Sequence, residues 1–84
     1  MNANQTEIYN SFLRRIDNTV DESVSAYNQS QLSKLNETFE RLVDIWKSIQ
    51  IDISKTNLPG DICIKLSLIC DDGFRNFCKR ANIH

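Results

Sequence analysis

The sequence predicts an all-α fold: a small helical bundle of three to four short helices, completed by helices of a partner. Three observations carry this. From Leu32 the apolar residues Leu35, Phe39, Leu42, Trp46 and Ile49 follow at steps of three and four, the stripe of an amphipathic helix. Upstream, Ile8, Phe12, Ile16, Val20 and Val24 recur every four residues. The chain has 84 residues, and a domain of this size buries only about 60% of the surface its unfolded form exposes. Its own core is therefore expected to be marginal, which is why a partner is invoked.

The upstream stripe defines a first, weaker helix, with Tyr9, Leu13 and Tyr27 alongside and Thr6 placed to cap it. Its many Asn, Ser, Thr and Asp residues compete for backbone hydrogen bonds and are poor choices for a helix interior. The second stripe, extended backwards in phase, lands on the polar Asn28, Ser25, Asp21 and Asn18. A break over Ala26 to Ser30 follows. Val43 and Ile45 widen the second stripe beyond a two-stranded seam and suit it to a bundle or a groove.

Asp52 to Gly60 contains Ser54, Thr56, Asn57 and Pro59 and reads as a loop ending at a proline suited to a first helical turn. Beyond it Ile62, Ile64, Leu66 and Leu68 alternate with Cys63, Lys65 and Ser67, the pattern of a strand. A lone strand has nothing to pair with in a helical chain, so a short buried helix is expected. Leu58, Ile62, Leu66, Ile69 and Cys70 form its main face, and Gly73, after Asp71 and Asp72, is expected to close it as a left-handed cap. Phe74, Phe77 and Cys78 then open a final short turn.

The composition excludes several functions. Net charge is −1 with both signs interspersed, so no nucleic-acid or anionic-membrane footprint is expected. No apolar run approaches the roughly 20 residues that cross a bilayer, and the polar start lacks the layout of a signal peptide. A cytosolic or nuclear protein is expected. Cys63, Cys70 and Cys78 are an odd number, spaced for neither a CxxC pattern nor a zinc finger, and read as reduced, buried thiols. His84 is the one histidine and is terminal, which makes a Cys/His catalytic pair a poor prospect. Adjacent Asp71 and Asp72 point apart and have no third ligand in sight, and two glycines cannot build a phosphate loop. Neither catalysis nor a cofactor is expected. Trp46 fits two roles equally, a core aromatic and an interface anchor.

The stretch from Leu35 to Phe77 carries a resemblance. Glu37, Thr38 and Phe39, then Leu42, Asp44, Ile45 and Ile49, a loop, Leu58, and the run from Ile62 to Cys70, Asp71, Asp72, Gly73 and Phe74 are similar to the MOZART family, the mitotic-spindle organizing proteins. That family shows a Glu-Thr-hydrophobic helix start and a second helix ending in Cys-acidic-x-Gly-hydrophobic. The chain departs from it in a helical segment before residue 31, a longer loop before Leu58, Trp46 in place of a smaller residue, Arg75 and Asn76 after the glycine, and a shorter third helix.

Periodicity and resemblance together divide the chain into two parts, an amino-terminal helical extension over residues 1–30, which the family pattern does not supply, and a MOZART-like core over residues 31–84. The resemblance also implies a non-catalytic adaptor subunit of gamma-tubulin complexes. Such subunits fold with the helical amino-terminal extension of a gamma-tubulin complex protein, contact gamma-tubulin only indirectly, and aid recruitment or activation of microtubule nucleation. The expected location is cytoplasmic and cytoskeletal, at the centrosome or another microtubule-organizing centre and at spindle poles. The expected partner-binding residues are Phe39, Leu42, Ile45, Trp46, Ile49, Ile62, Leu66, Ile69 and Phe74, each of which also has a possible role in the chain's own core. The alternative is a self-sufficient helical bundle or homodimerisation module of another cytosolic assembly.

Overall fold

The computed structural model describes residues 1–83; His84, and with it the Cys/His pair weighed above, lies outside the described residues. Helix α1 runs Ala3–Gln29, a single 3-10 turn occupies Leu32–Lys34, α2 runs Leu35–Ser54 and α3 Gly60–Arg80. The all-helical bundle holds, but its helices are not short: they have 27, 20 and 21 residues.

Cross-contacts fix the topology. Along α1, Arg15 pairs with Asp52 and Ser23 with Trp46, so the α2 number falls as the α1 number rises and these helices are antiparallel. Tyr9 meets Lys65, Ile16 meets Gly73 and Asp21 meets Arg80, so α1 and α3 run parallel. The arrangement is up-down-up around one core. Residues 1–30 are thus built into the bundle, contributing Phe12, Ile16, Thr19, Val20 and Ser23 to its interior.

Helix α1 is longer than its stripe because it starts at a cap upstream of Thr6. The Asn2 side chain accepts the Gln5 N–H at 2.8 Å, and the Gln5 side chain accepts the Asn2 N–H at 3.0 Å, a reciprocal capping box. Thr6 only donates its hydroxyl to the Asn2 carbonyl. The polar interior residues of α1 find partners of their own. Thr19 donates to the Arg15 carbonyl at 2.6 Å, and buried Ser23 accepts the Trp46 indole N–H at 3.1 Å. At the far end the chain leaves the helix at Ser30, the downstream edge of the expected break.

Helix α2 buries Thr38, Leu42, Trp46, Ile49 and Ile53, the phase read from its stripe. It runs on to Ser54 because Ile53 is drawn into the core and Asp52 is tied to Arg15, so the loop shrinks to residues 55–59. Leu58 plugs the core beneath that loop. Pro59 sits just outside α3 as its cap residue, where its carbonyl accepts the N–H groups of Ile62 and Cys63.

Helix α3 takes the helical reading of residues 62–69. Leu66 and Cys70 are buried, whereas Ile64 and Leu68 stand on the outer face, so the alternation in sequence comes from a helix apolar on more than one side. Gly73 does not end the helix. It is buried within it, and the left-handed residue is Asn82, at φ 58°. The Ile83 N–H bonds the Cys78 carbonyl at 2.8 Å and the Asn82 N–H bonds that of Lys79 at 3.2 Å, which is a Schellman closure.

Gly73 is there for close approach. A Cβ at this position would lie 2.8 Å from a methyl of Ile16 and 3.0 Å from the Trp46 ring, two rigid side chains from the other two helices. Gly73→Ala should therefore destabilise the protein. The alanine gains about 1 kcal/mol of helix propensity, but overpacking a filled core costs ~1–3 kcal/mol. Gly60→Ala meets nothing within 4 Å and should be neutral or stabilising. Thermal unfolding followed by circular dichroism checks the ranking, and a Gly73→Ala protein melting above Gly60→Ala contradicts this packing.

Candidate partner-binding groove

The nine expected contact residues do not form one surface. Leu42, Trp46, Ile49 and Leu66 are buried among the chain's own helices. Phe39, Ile62, Ile69 and Phe74 are half-buried, and Ile45 is exposed at 43%. Ile62 and Ile69 lie one turn either side of Lys65, whose ammonium sits 5.8 Å from the centre of the Tyr9 ring, so they face α1. Ile45 lies seven residues before Asp52, on the rim of α2 that pairs with α1.

Phe39, Trp46 and Phe74 do converge. The Phe39 and Phe74 ring centres are 6.2 Å apart, and Trp46 meets Phe74 edge-on at 6.0 Å, both within the range of favourable aromatic pairs. Phe77, fully buried behind them, stacks with Phe39 at 6.4 Å and takes the edge of Tyr27 at 6.3 Å. Helix α3 leans more closely on α1 than on α2, and the looser seam opens as a groove of ≈ 200 Å³ lined by Val43, Trp46, Lys47, Gln50, Cys70, Asp71 and Phe74. From Phe74 the apolar surface continues past Cys78 to Ile83.

Gln50 bolts the groove at mid-length. Its amide donates to the Ser67 carbonyl at 3.0 Å and to the Asp71 carboxylate at 2.9 Å, while the Ser67 hydroxyl donates to its carbonyl oxygen at 2.7 Å. This satisfies the polar groups at the seam and leaves the remaining wall apolar. Lys47 and Asp71 supply one charge of each sign at its lips. Val43 was legible as an edge residue of the α2 stripe, whereas Gln50 and Cys70 lie in the groove by virtue of how α3 crosses α2.

All three cysteines are free thiols, and no cluster that could hold a metal ion occurs among the described residues. Burial, reinforced by the neighbouring Asp71 carboxylate, pushes the Cys70 thiol up to about 11, and burial also raises Cys78. Neither is an activated nucleophile. Among the described residues no helix is long and apolar enough to cross a membrane. Scans against protein-family models, curated proteins and solved structures find no match for the chain.

The Cys70 thiol should resist alkylation at neutral pH and react at a rate that climbs about tenfold per pH unit until about pH 11, as the thiolate fraction does. Because its folded pKa is raised, the stability it contributes is complete below pH 9 and lost as pH rises through 11. Mass spectrometry after timed iodoacetamide treatment at graded pH checks the first point. Cys70 labelling as fast as a small free thiol at pH 7 contradicts it.

Proposed function

We propose that the chain is a non-catalytic adaptor subunit of gamma-tubulin complexes that receives a helix of a gamma-tubulin complex protein's amino-terminal extension in the α2–α3 groove. One observation carries this reading. Three residues behind the MOZART resemblance, Cys70, Asp71 and Phe74 of its Cys-acidic-x-Gly-hydrophobic end, line the groove, and Phe39, which follows the Glu37-Thr38 start of α2, sets its ring 6.2 Å from that of Phe74. An apolar seam with one charge at each lip suits an amphipathic helix laid along it.

In this role Phe39, Val43, Trp46 and Phe74 touch the partner, while Leu42, Ile49 and Leu66 hold the groove walls from behind. Ile45, Ile62 and Ile69 lie outside the groove and contribute through the bundle. The adaptor joins gamma-tubulin only through its larger partner and acts at the centrosome or another microtubule-organizing centre. A second reading, an autonomous bundle serving another assembly, has its own support: Ile49, Leu66 and Phe77 are 0% exposed with no partner present.

The test is a titration of the isotope-labelled full chain with amino-terminal helical fragments of gamma-tubulin complex proteins, followed by NMR. Shifts should concentrate at Phe39, Val43, Cys70 and Phe74. Val43→Glu, at a half-exposed site, should keep the helical content and weaken binding at least tenfold, about 1.4 kcal/mol. A spectrum indifferent to every fragment would end the gamma-tubulin assignment. Binding unaffected by Val43→Glu would place the contact elsewhere.

A further inference from the structure

The outer face of α3 carries an apolar pair, Ile64 and Leu68, outside the core and outside the groove of Val43, Trp46 and Phe74; Ile64 also edges a shallow depression with Gln50, Ile53 and Ser54 of α2. Ile64 is 65% exposed and Leu68 59% exposed, one turn apart. Asp61, Leu68 and Arg75 are spaced seven residues apart, so they share one line along the helix, and Ile64 and Asp71 form the adjacent line. Lys65 and Asp72, also seven apart, flank them. All of these side chains are exposed. The pattern is a short two-line seam, aliphatic at its centre and charged at its ends.

The charges determine what can cover it. A second copy laid parallel on this stripe would set Asp61 against Asp61, Asp71 against Asp71 and Arg75 against Arg75. An antiparallel copy turned about Leu68 removes the Asp61 and Arg75 conflicts. Leu68 meets Leu68 on the two-fold axis, Asp61 of each copy comes level with Arg75 of the other, and Lys65 comes level with Asp72 on the same flank, while Asp71 stays with Gln50 on the opposite flank beside Ile64. The seam is therefore self-complementary in one orientation only, as an isologous contact requires. Arg75 already holds Asp72 at 2.9 Å within its own helix, and its five donors allow it to hold a second carboxylate as well.

We infer that the chain self-associates through this face of α3, as an antiparallel dimer centred on Leu68. The contact does not depend on what enters the α2–α3 groove. With two aliphatic side chains per copy at its centre it is a weak, reversible interface, and its ion pairs, being exposed, set orientation more than affinity.

The experiment is sedimentation equilibrium of the full chain over a hundredfold concentration range, with circular dichroism on each variant. The wild-type mass should rise from monomer towards dimer. Leu68→Glu, at an exposed site, should keep the helical content and abolish the rise, whereas Val43→Glu in the groove should leave it unchanged. Asp61→Arg and Arg75→Asp should each weaken association by tenfold or more, and the double variant should restore it. A monomer at every concentration overturns the inference and leaves the stripe to a different partner. So does a dimer that survives Leu68→Glu, is lost with Val43→Glu, or is not restored by the double charge exchange.

Discussion

The packing of Trp46 across Gly73 is the constraint on which the rest of the bundle depends. The indole ring comes within 3.0 Å of where a Cβ of Gly73 would be, and Ile16 closes the same point from α1 at 2.8 Å. One residue from each helix thus meets at a single place near the middle of the molecule. The indole N–H, which would be costly to bury unpaired, reaches Ser23 on α1. The helix crossings, the burial of Ser23 and the exposure of the opposite edge of Phe74 follow from seating so large a ring between α1 and α3. Surface ion pairs add little to this. Arg15–Asp52 is about half exposed and Arg80–Asp21 more so, and such pairs contribute ~0–1 kcal/mol.

This seat also explains how far the fold could be read in the residues. Helix α2 was legible because its buried side chains keep one phase from Leu42 to Ile53, and periodicity reports burial on one side. The end of α3 was not, because Gly73 has two opposite uses. In a sequence a glycine after two aspartates looks like a helix stop, yet here it is a contact point inside the helix, and only the positions of Ile16 and Trp46 distinguish the two. The true stop, Asn82, is a residue that tolerates the left-handed region without announcing it. Likewise Asn2 outcompetes Thr6 as the cap because Gln5 completes a reciprocal pair with it. The groove was half legible. Phe39, Trp46 and Phe74 were singled out as apolar residues, but that they meet, while Ile45 and Ile62 do not join them, is a property of the crossing between α2 and α3.

The fold also divides the apolar residues between two duties that sequence alone treats as one. A chain this short is expected to have only a marginal core, completed by a partner. Instead α1 supplies the missing layer, and Leu42, Ile49 and Leu66 are occupied internally. What remains available to a partner is the set that the crossing leaves half-open, Phe39, Val43 and Phe74 above all. A helix docking there would extend an existing core rather than create one. The ordering cost of such binding falls mainly on the incoming segment, since the groove walls are already held by Gln50, Ser67 and the aromatic cluster behind them.

The first half of helix α3, residues 62–70, is apolar on more than one side, and in a bundle of three such a segment needs an explanation, since a helix with one buried face needs only a stripe. The residues of α3 resolve into separate surfaces. Leu66, Cys70, Gly73 and Phe77 serve the core. Phe74 serves the seam with α2, Cys78 lies next to it towards Ile83, and Ile62 and Ile69 lie on the side of Lys65, which faces α1. Leu68 serves none of these and Ile64 only edges the α2 seam beside Ser54, and they are the residues that make the segment look like a strand. The alternation that misdirects a reading of periodicity and the exposed stripe on the outer face are the same fact: side chains whose hydrophobicity is unused within one copy of the chain.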